Sequence, residues 1–301
     1  MAARRSKVVF DAAAGACVTA LLRRVRRFDR RRSADFAGAF MRTIGPLLKE
    51  HRVGRDSLRA AFPEKSDDEI KEILAGVWDN LGRIGVEFAH LDQFHVAGFG
   101  PPGADDITYS AQTKERIERI FKTGKPVIGF AAHIANWELP ALSSKQIGLQ
   151  SAVLYRRPNI GAIGDLVIKL RAPLMGELIA TTLDAPVRLA RALQAGSSVG
   201  MLVDQFFGQG VDVSFFGRRC KANPLAARLA RQTEYPLHGV HVVRLADRNS
   251  FAIEFTDAIE PVRDAQGLID VQGTTQQITS VIEGWIREHP EQWLWLHRRW
   301  R

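Results

Sequence analysis

The sequence predicts an α/β fold, a mostly parallel sheet flanked by helices and preceded by a helical region. Three observations carry this. Downstream of Asp106, short apolar runs alternate with stretches of helical period, the pattern of strands joined by crossover helices. Two of those runs, residues 126–132 and 198–203, are almost wholly apolar and read as buried strands of a sheet covered on both faces. Upstream, residues 33–95 read as helices.

The elements follow in order. Ser66-Asp-Asp-Glu69 is a capping box that opens a long helix ending near His90. Its apolar positions Ile70, Ile73, Leu74, Val77, Leu81, Ile84 and Phe88 recur at spacings of three and four. Gly98-Phe-Gly-Pro-Pro-Gly103 breaks the pattern and marks entry to a second region. There a strand is expected at 107–110, a helix at 111–122, a strand at 126–132 and a helix at 136–148. A strand at 151–155, a helix at 160–170, a strand at 178–182, a helix at 185–195 and a strand at 198–203 continue the alternation. A helix at 223–232, strands at 237–244 and 251–257, a helix at 271–288 and a last strand at 293–296 complete it. The chain thus divides into an arm over residues 1–32, a helical region over 33–103 and an α/β core over 104–301.

Composition narrows the setting. At 46% hydrophobic and 25% charged residues, the 301-residue chain is globular and long enough to bury a substantial core. Two cysteines, Cys17 and Cys220, make no disulfide framework, which fits a reduced, cytoplasm-facing protein. The net charge of +9 is concentrated in the arm. Residues 1–32 hold ten Lys/Arg against Asp11 and Asp29, a net of +8 that leaves +1 for the rest. Residues 8–22 form an apolar run interrupted by Asp11, shorter than the ~20 residues that span a bilayer. A secretory signal has a similar outline, but the seven arginines of residues 23–32 oppose translocation. The arm therefore reads as an interfacial helix on an anionic membrane surface. Nucleic acid is disfavoured as a partner, because an apolar stretch precedes the arginines and no aromatic platform accompanies them.

The chemistry points to residues 127–140, Val-Ile-Gly-Phe-Ala-Ala-His133-Ile-Ala-Asn136-Trp-Glu138-Leu-Pro140. An apolar strand ends in His133, Asn136 offers a helix N-cap, and Pro140 suits a first turn. A spacing of five separates two side chains by about 140° on one helix. His133 and Glu138 therefore converge only if the histidine lies in the turn and the glutamate in the first helical turn. Such a dyad at the carboxyl end of a strand can deprotonate an alcohol, with the carboxylate orienting the imidazole. Asp204-Gln205 ends the second apolar run and stands where His133 stands on its own strand, a position that suits either a site residue or an aspartate capping the following turn. Arg171, after the helix at 160–170, reads on its own as a surface arginine, and Arg156, after the strand at 151–155, as either surface charge or part of an anion patch, since a guanidinium fits a phosphate bidentately.

These residues resemble a known family. The His-x-x-x-x-Glu pair is similar to the motif of the lysophospholipid acyltransferase superfamily. Further segments resemble one branch, the late acyltransferases of lipid A biosynthesis. They are Ala61-Phe-Pro-Glu-Lys-Ser66, Trp78-Asp-Asn-Leu-Gly-Arg83, Tyr155-Arg-Arg-Pro-Asn159, Met201-Leu-Val-Asp-Gln205, Phe215-Phe-Gly217 and Pro290-Glu-Gln-Trp-Leu-Trp-Leu-His-Arg-Arg-Trp300. They occur in order from about residue 55 to the end. The resemblance implies a glycerolipid-acyltransferase-like fold. It also implies transfer of a fatty acyl group from acyl carrier protein to a hydroxyl of a phosphorylated lipid A precursor, at the cytoplasmic face of the inner membrane. His133 would be the base and Glu138 its partner. Arg171, Asp204, Arg156 and Asn136 would bind substrate, with neither metal nor cofactor. Transfer to another membrane glycolipid or a lysophospholipid, hydrolysis of the thioester at the same dyad, and a non-catalytic membrane-binding module are the competing readings.

Other signals point away from other chemistries. His238-x-x-His241 lies in an expected strand, where a spacing of three sends side chains to opposite faces, a poor metal chelate. Gly124-Lys125-Pro126 lacks the remainder of a P-loop, and no Gly-x-Ser-x-Gly elbow is present. Phe206, Phe207, Phe215 and Phe216 suit either core packing or the wall of an acyl channel. Trp293, Trp295 and Trp300 are ambiguous in the same way, between core packing and a membrane boundary.

Overall fold

The computed structural model describes residues 15, 16, 18–158 and 161–300. Cys17 and most of the apolar run at 8–22 lie outside them. Residues 18–25 are helical, and three helices follow: α1 (Arg30–Ile44), α2 (Lys49–Ala61) and α3 (Asp67–Ala89). The capping box forms as the sequence requires, with Ser66 Oγ accepting from Glu69 N and Glu69 accepting from Ser66 N. α1 lies tightly along α3. A Cβ on Gly82 would stand 2.3 Å from the Ala37 carbonyl, so the glycine permits the close approach. Arg83, buried between them, pairs with Asp79 at 2.7 Å and with Asp35 at 2.7 Å.

The rest is β1 (Ile107–Tyr109), α4 (Ala111–Thr123), β2 (Ile128–Ala131), α5 (Leu139–Gln146), β3 (Ser151–Tyr155), α6 (Gly161–Arg171), β4 (Glu177–Ala180), α7 (Ala185–Gln194) and β5 (Ser198–Leu202). Then come β6 (Val211–Phe215), β7 (Arg218–Ala222), α8 (Leu225–Thr233), β8 (Leu237–Arg244), β9 (Phe251–Ile259) and α9 (Val271–Glu288). The main sheet has the order β1-β9-β8-β2-β5-β3-β4. Every neighbouring pair is parallel except β8 with β9, as the alternating pattern led us to expect. One apolar cluster runs from Leu58 and Leu74 through Phe130 to Trp295, so the helical region and the sheet share a core.

Two details differ from the sequence reading. Residues 293–296 are not a strand: Trp293 forms a single antiparallel bridge with Ile134. The segment crosses the end of the sheet, and Leu294 N donates to the His133 carbonyl at 3.1 Å. Its tryptophans instead pack on one another and on Phe215 and Phe216. Conversely, β6 and β7 form an antiparallel hairpin that was not anticipated. Phe216 and Gly217, with φ of +52° and +67°, are its two turn residues, the left-handed pair that a tight hairpin needs.

Candidate active site

The site arises from strand register. Along β2, alternation puts Val127, Gly129 and Ala131 on one face, and His133 continues that series past the strand's end. Along β5, Ser198, Gly200 and Leu202 do the same, and Asp204 continues it. Ala131 is paired with Leu202, so two residues further on His133 and Asp204 meet side by side. His133 Nδ1 lies 2.8 Å from Asp204 Oδ1, and His133 N donates to Asp204 Oδ2 at 3.0 Å. Trp293 Nε1, from the C-terminal segment, donates to the same Oδ2 at 2.7 Å. Asp204 is fully buried. Burial works to raise its carboxyl, but the adjacent His133 and the hydrogen bonds outweigh it and hold the group below the usual carboxylate range. An ionised carboxylate only accepts, so Nδ1 carries the ring proton and Nε2 presents its lone pair. That nitrogen lies 3.4 Å from Gln205 Nε2, and the His133 side chain keeps 17% of its surface open.

Glu138 has a different partner from the one expected. It stands at the N-cap of α5, and its two oxygens accept from Nε and Nη2 of Arg171, the last residue of α6, at 2.7 Å for the Nε bond. Among the described residues no hydrogen bond joins Glu138 to His133. The expected His133–Glu138 contact is thus absent among the described residues and His133 pairs with Asp204, because the strand register places Asp204 on Nδ1 while the turn between His133 and Glu138 aims the glutamate at α6. Ala135 adopts φ +44° within that turn, a strained position for a residue with a Cβ. The Arg171 guanidinium lies over Phe88 at 5.5 Å and lines the same cavity as His133.

Asn136 faces inward. It is fully buried, donates to Glu87 Oε2 at 3.0 Å and accepts from Glu138 N at 3.2 Å, so its side chain is engaged within the fold. Glu87 in turn pairs with the buried Arg244 at the end of β8, whose Nε donates to Asn80 at 3.0 Å. Gln292 brackets Arg244, accepting from its N at 2.8 Å and donating to its carbonyl at 3.1 Å. This network ties α3, β8 and the C-terminal segment to the turn that carries His133. Sequence reasoning missed Glu87, Arg244 and Trp293. One signal was present: Glu87 sits three residues after Ile84, a charge on the apolar stripe of α3. Asp204 is likewise buried, its carboxylate engaged by His133 and Trp293. Arg156 is exposed at the rim of the cavity.

The cavity holds about 730 Å³. It extends from His133 and Arg171 over the face of β2, β5 and β3, under α5. Val127, Gly129, Val153, Met175, Leu178 and Gly200 line its depth. Gly129 and Gly200 are register partners, and their missing side chains leave the middle of the floor hollow. Phe206 and Phe207 also line it, whereas Phe215 and Phe216 pack in the core with the tryptophans, which separates the two aromatic pairs. The site therefore combines an oriented imidazole, an arginine paired with Glu138 and an apolar slot, a combination suited to moving a hydrocarbon acyl group onto a hydroxyl.

Comparison with known proteins agrees. The model of the bacterial lipid A biosynthesis acyltransferases matches residues 4–301. A lipid A biosynthesis palmitoleoyltransferase of Escherichia coli (strain K12) is 23% identical over 261 residues, 85% of this chain and 80% of the relative. A lipid A biosynthesis acyltransferase of Shigella flexneri matches to the same extent, 23% over 261 residues. The conserved-length match, the α/β fold and a His-x-x-x-x-Glu turn at the mouth of an apolar cavity converge on acyl transfer, and the chain belongs to the bacterial lipid A biosynthesis acyltransferase family.

Proposed function

We propose that this acyltransferase moves a fatty acyl group from an acyl carrier protein thioester to a hydroxyl of a phosphorylated lipid A precursor. His133 Nε2 takes the hydroxyl proton as the oxygen attacks the thioester carbonyl. The tetrahedral intermediate then collapses, expelling the thiolate, which receives the proton from the imidazolium. Asp204 holds the Nδ1–H and stabilises the positive ring during this exchange. Thiolate is a good leaving group, so no covalent acyl-enzyme is needed.

The remaining residues bind. Glu138 occupies two faces of the Arg171 fork, and Nη1 of Arg171 is left without a hydrogen bond among the described residues. We assign it, with Arg156 at the rim, to a phosphate of the acceptor. The acyl chain lies over Gly129 and Gly200, and a long chain such as the palmitoleoyl group in the relative's name suits that depth. No helix among the described residues is long and apolar enough to cross a membrane. The net charge of +8 in residues 1–32 supports attachment of the basic arm at the cytoplasmic face of the inner membrane as our reading.

The observation that carries the proposal is the His133–Asp204 pair at the entrance of an apolar cavity. The test is an assay of the purified protein with acyl carrier protein thioester, with and without the lipid acceptor. Acylated lipid in the first case and a slow thioester background in the second support transfer. Equal thioester loss in both would identify a thioesterase.

A further inference from the structure

Among the described residues, nothing packs on an apolar stripe along the outer face of α1. Phe36 is 72% exposed, Phe40 50% and Leu47 83%. Phe36 and Phe40 stack on each other at 6.2 Å, and spacings of four and seven align all three along one side of the helix and its exit. Leu21 and Phe28, also exposed, extend the apolar surface toward the N-terminus. We propose that this face inserts into the headgroup and upper acyl layer of an anionic bilayer, so that α1 and not the arm alone forms the membrane contact. The inference deepens the membrane-surface reading above.

The arginines determine the occupant. Of the seven in residues 23–32, two are committed inward. Arg26 donates to the Ala89 carbonyl at 2.6 Å and pairs with Asp92 at 2.7 Å, and Arg30 pairs with Asp106 while covering Phe94. Arg23, Arg24, Arg27 and Arg32 are exposed and form no ion pair among the described residues. Arg32 precedes Phe36 by one turn on the same stripe. Exposed aromatics flanked by unpaired guanidinium groups complement an anionic lipid surface, with rings in the interface and cations at the phosphates.

The test uses the full chain and sedimenting vesicles of equal parts phosphatidylcholine and phosphatidylglycerol. Phe36→Ser, Phe40→Ser and Leu47→Ser together should weaken partitioning by on the order of tenfold or more while leaving its salt dependence. Gln at Arg23, Arg24, Arg27 and Arg32 should weaken it by on the order of a hundredfold at low salt and flatten the salt dependence. A Phe40→Trp variant should be quenched by brominated lipid beyond the wild-type level. Two results would overturn the proposal: unchanged partitioning of the triple-serine variant with no added quenching at position 40, or a dimer in solution that the same serines dissociate, which would place a second copy on the face. Transfer to detergent-dispersed acceptor should survive the serines, so failure of docking is distinguishable from failure of the proposed reaction.

Discussion

Replacing Asp204 with Asn probes the catalytic arrangement with little change of shape. In the native site Oδ1 accepts from His133 Nδ1 at 2.8 Å, and Oδ2 accepts from His133 N at 3.0 Å and Trp293 Nε1 at 2.7 Å. An asparagine has one oxygen to offer. If it keeps the two donors at Oδ2, its amide N–H faces Nδ1, and the imidazole must turn its lone pair there and carry its proton on Nε2. The nitrogen that faces the cavity then cannot accept a proton. Loss of the carboxylate behind a catalytic imidazole lowers turnover by about 10⁴, or about 5.5 kcal/mol of transition-state stabilisation. Folding should lose only about 1–3 kcal/mol, because the Oδ2 bonds persist. The assay is the initial rate of acylated lipid formation, with thermal denaturation and nitrogen NMR of the imidazole to report fold and tautomer. Glu138→Gln is the control. It weakens the Arg171 pair but leaves His133–Asp204 intact, and a loss on the order of tenfold is expected. Turnover of Asp204→Asn within tenfold of wild type, with Glu138→Gln inactive, would refute the reasoning and restore Glu138 as the carboxylate behind the base.

Three further outcomes follow from the structure. Arg171→Ala should destabilise the fold by about 3 kcal/mol, since it strands a buried carboxylate, and should abolish acceptor use; Arg171→Lys should recover charge but not the fork, giving partial activity in denaturation and kinetic measurements. Trp293→Phe keeps the packing but deletes the N–H on Asp204, so kcat should fall by roughly tenfold with KM nearly unchanged in steady-state kinetics. His241 stacks on Trp285 at 4.6 Å, and burial lowers its pKa to about 4. Its neutral form is favoured in the folded state, so stability is retained above the unfolded value near 6.5 and declines as pH falls from there through about 4. The gap of about 2.5 units corresponds to at most about 3 kcal/mol, and His241→Phe should flatten that part of the melting-temperature profile.

Local signals in the sequence were read well where periodicity was strong. The helix at 271–288 and the strands at 151–155 and 237–244 have the expected limits, because long amphipathic and apolar runs leave little ambiguity. The hairpin of β6 and β7 escaped notice because its alternation is short and its turn opens with Phe216, a residue with no turn preference. Site positions were legible in part. His133 and Asp204 each end an apolar run, and both were singled out. Their contact depends on the register of two strands whose ends are 71 residues apart, which no local spacing encodes. Glu138 lies close in sequence, and the strand-turn-helix context together with the family resemblance favoured it. The Glu87–Arg244 pair, 157 residues apart, is a product of tertiary packing and has no local sign beyond a charge on an apolar stripe.

The most direct test of the account is a reconstituted reaction read by mass spectrometry of the lipid. Wild-type protein, an acyl carrier protein thioester and a phosphorylated lipid A precursor are incubated together, with His133→Ala in parallel. The account predicts that the precursor gains one acyl group with wild type and none with His133→Ala, while both proteins melt at similar temperatures. A precursor of unchanged mass with free fatty acid accumulating, or an acylated product formed equally by His133→Ala, would contradict it.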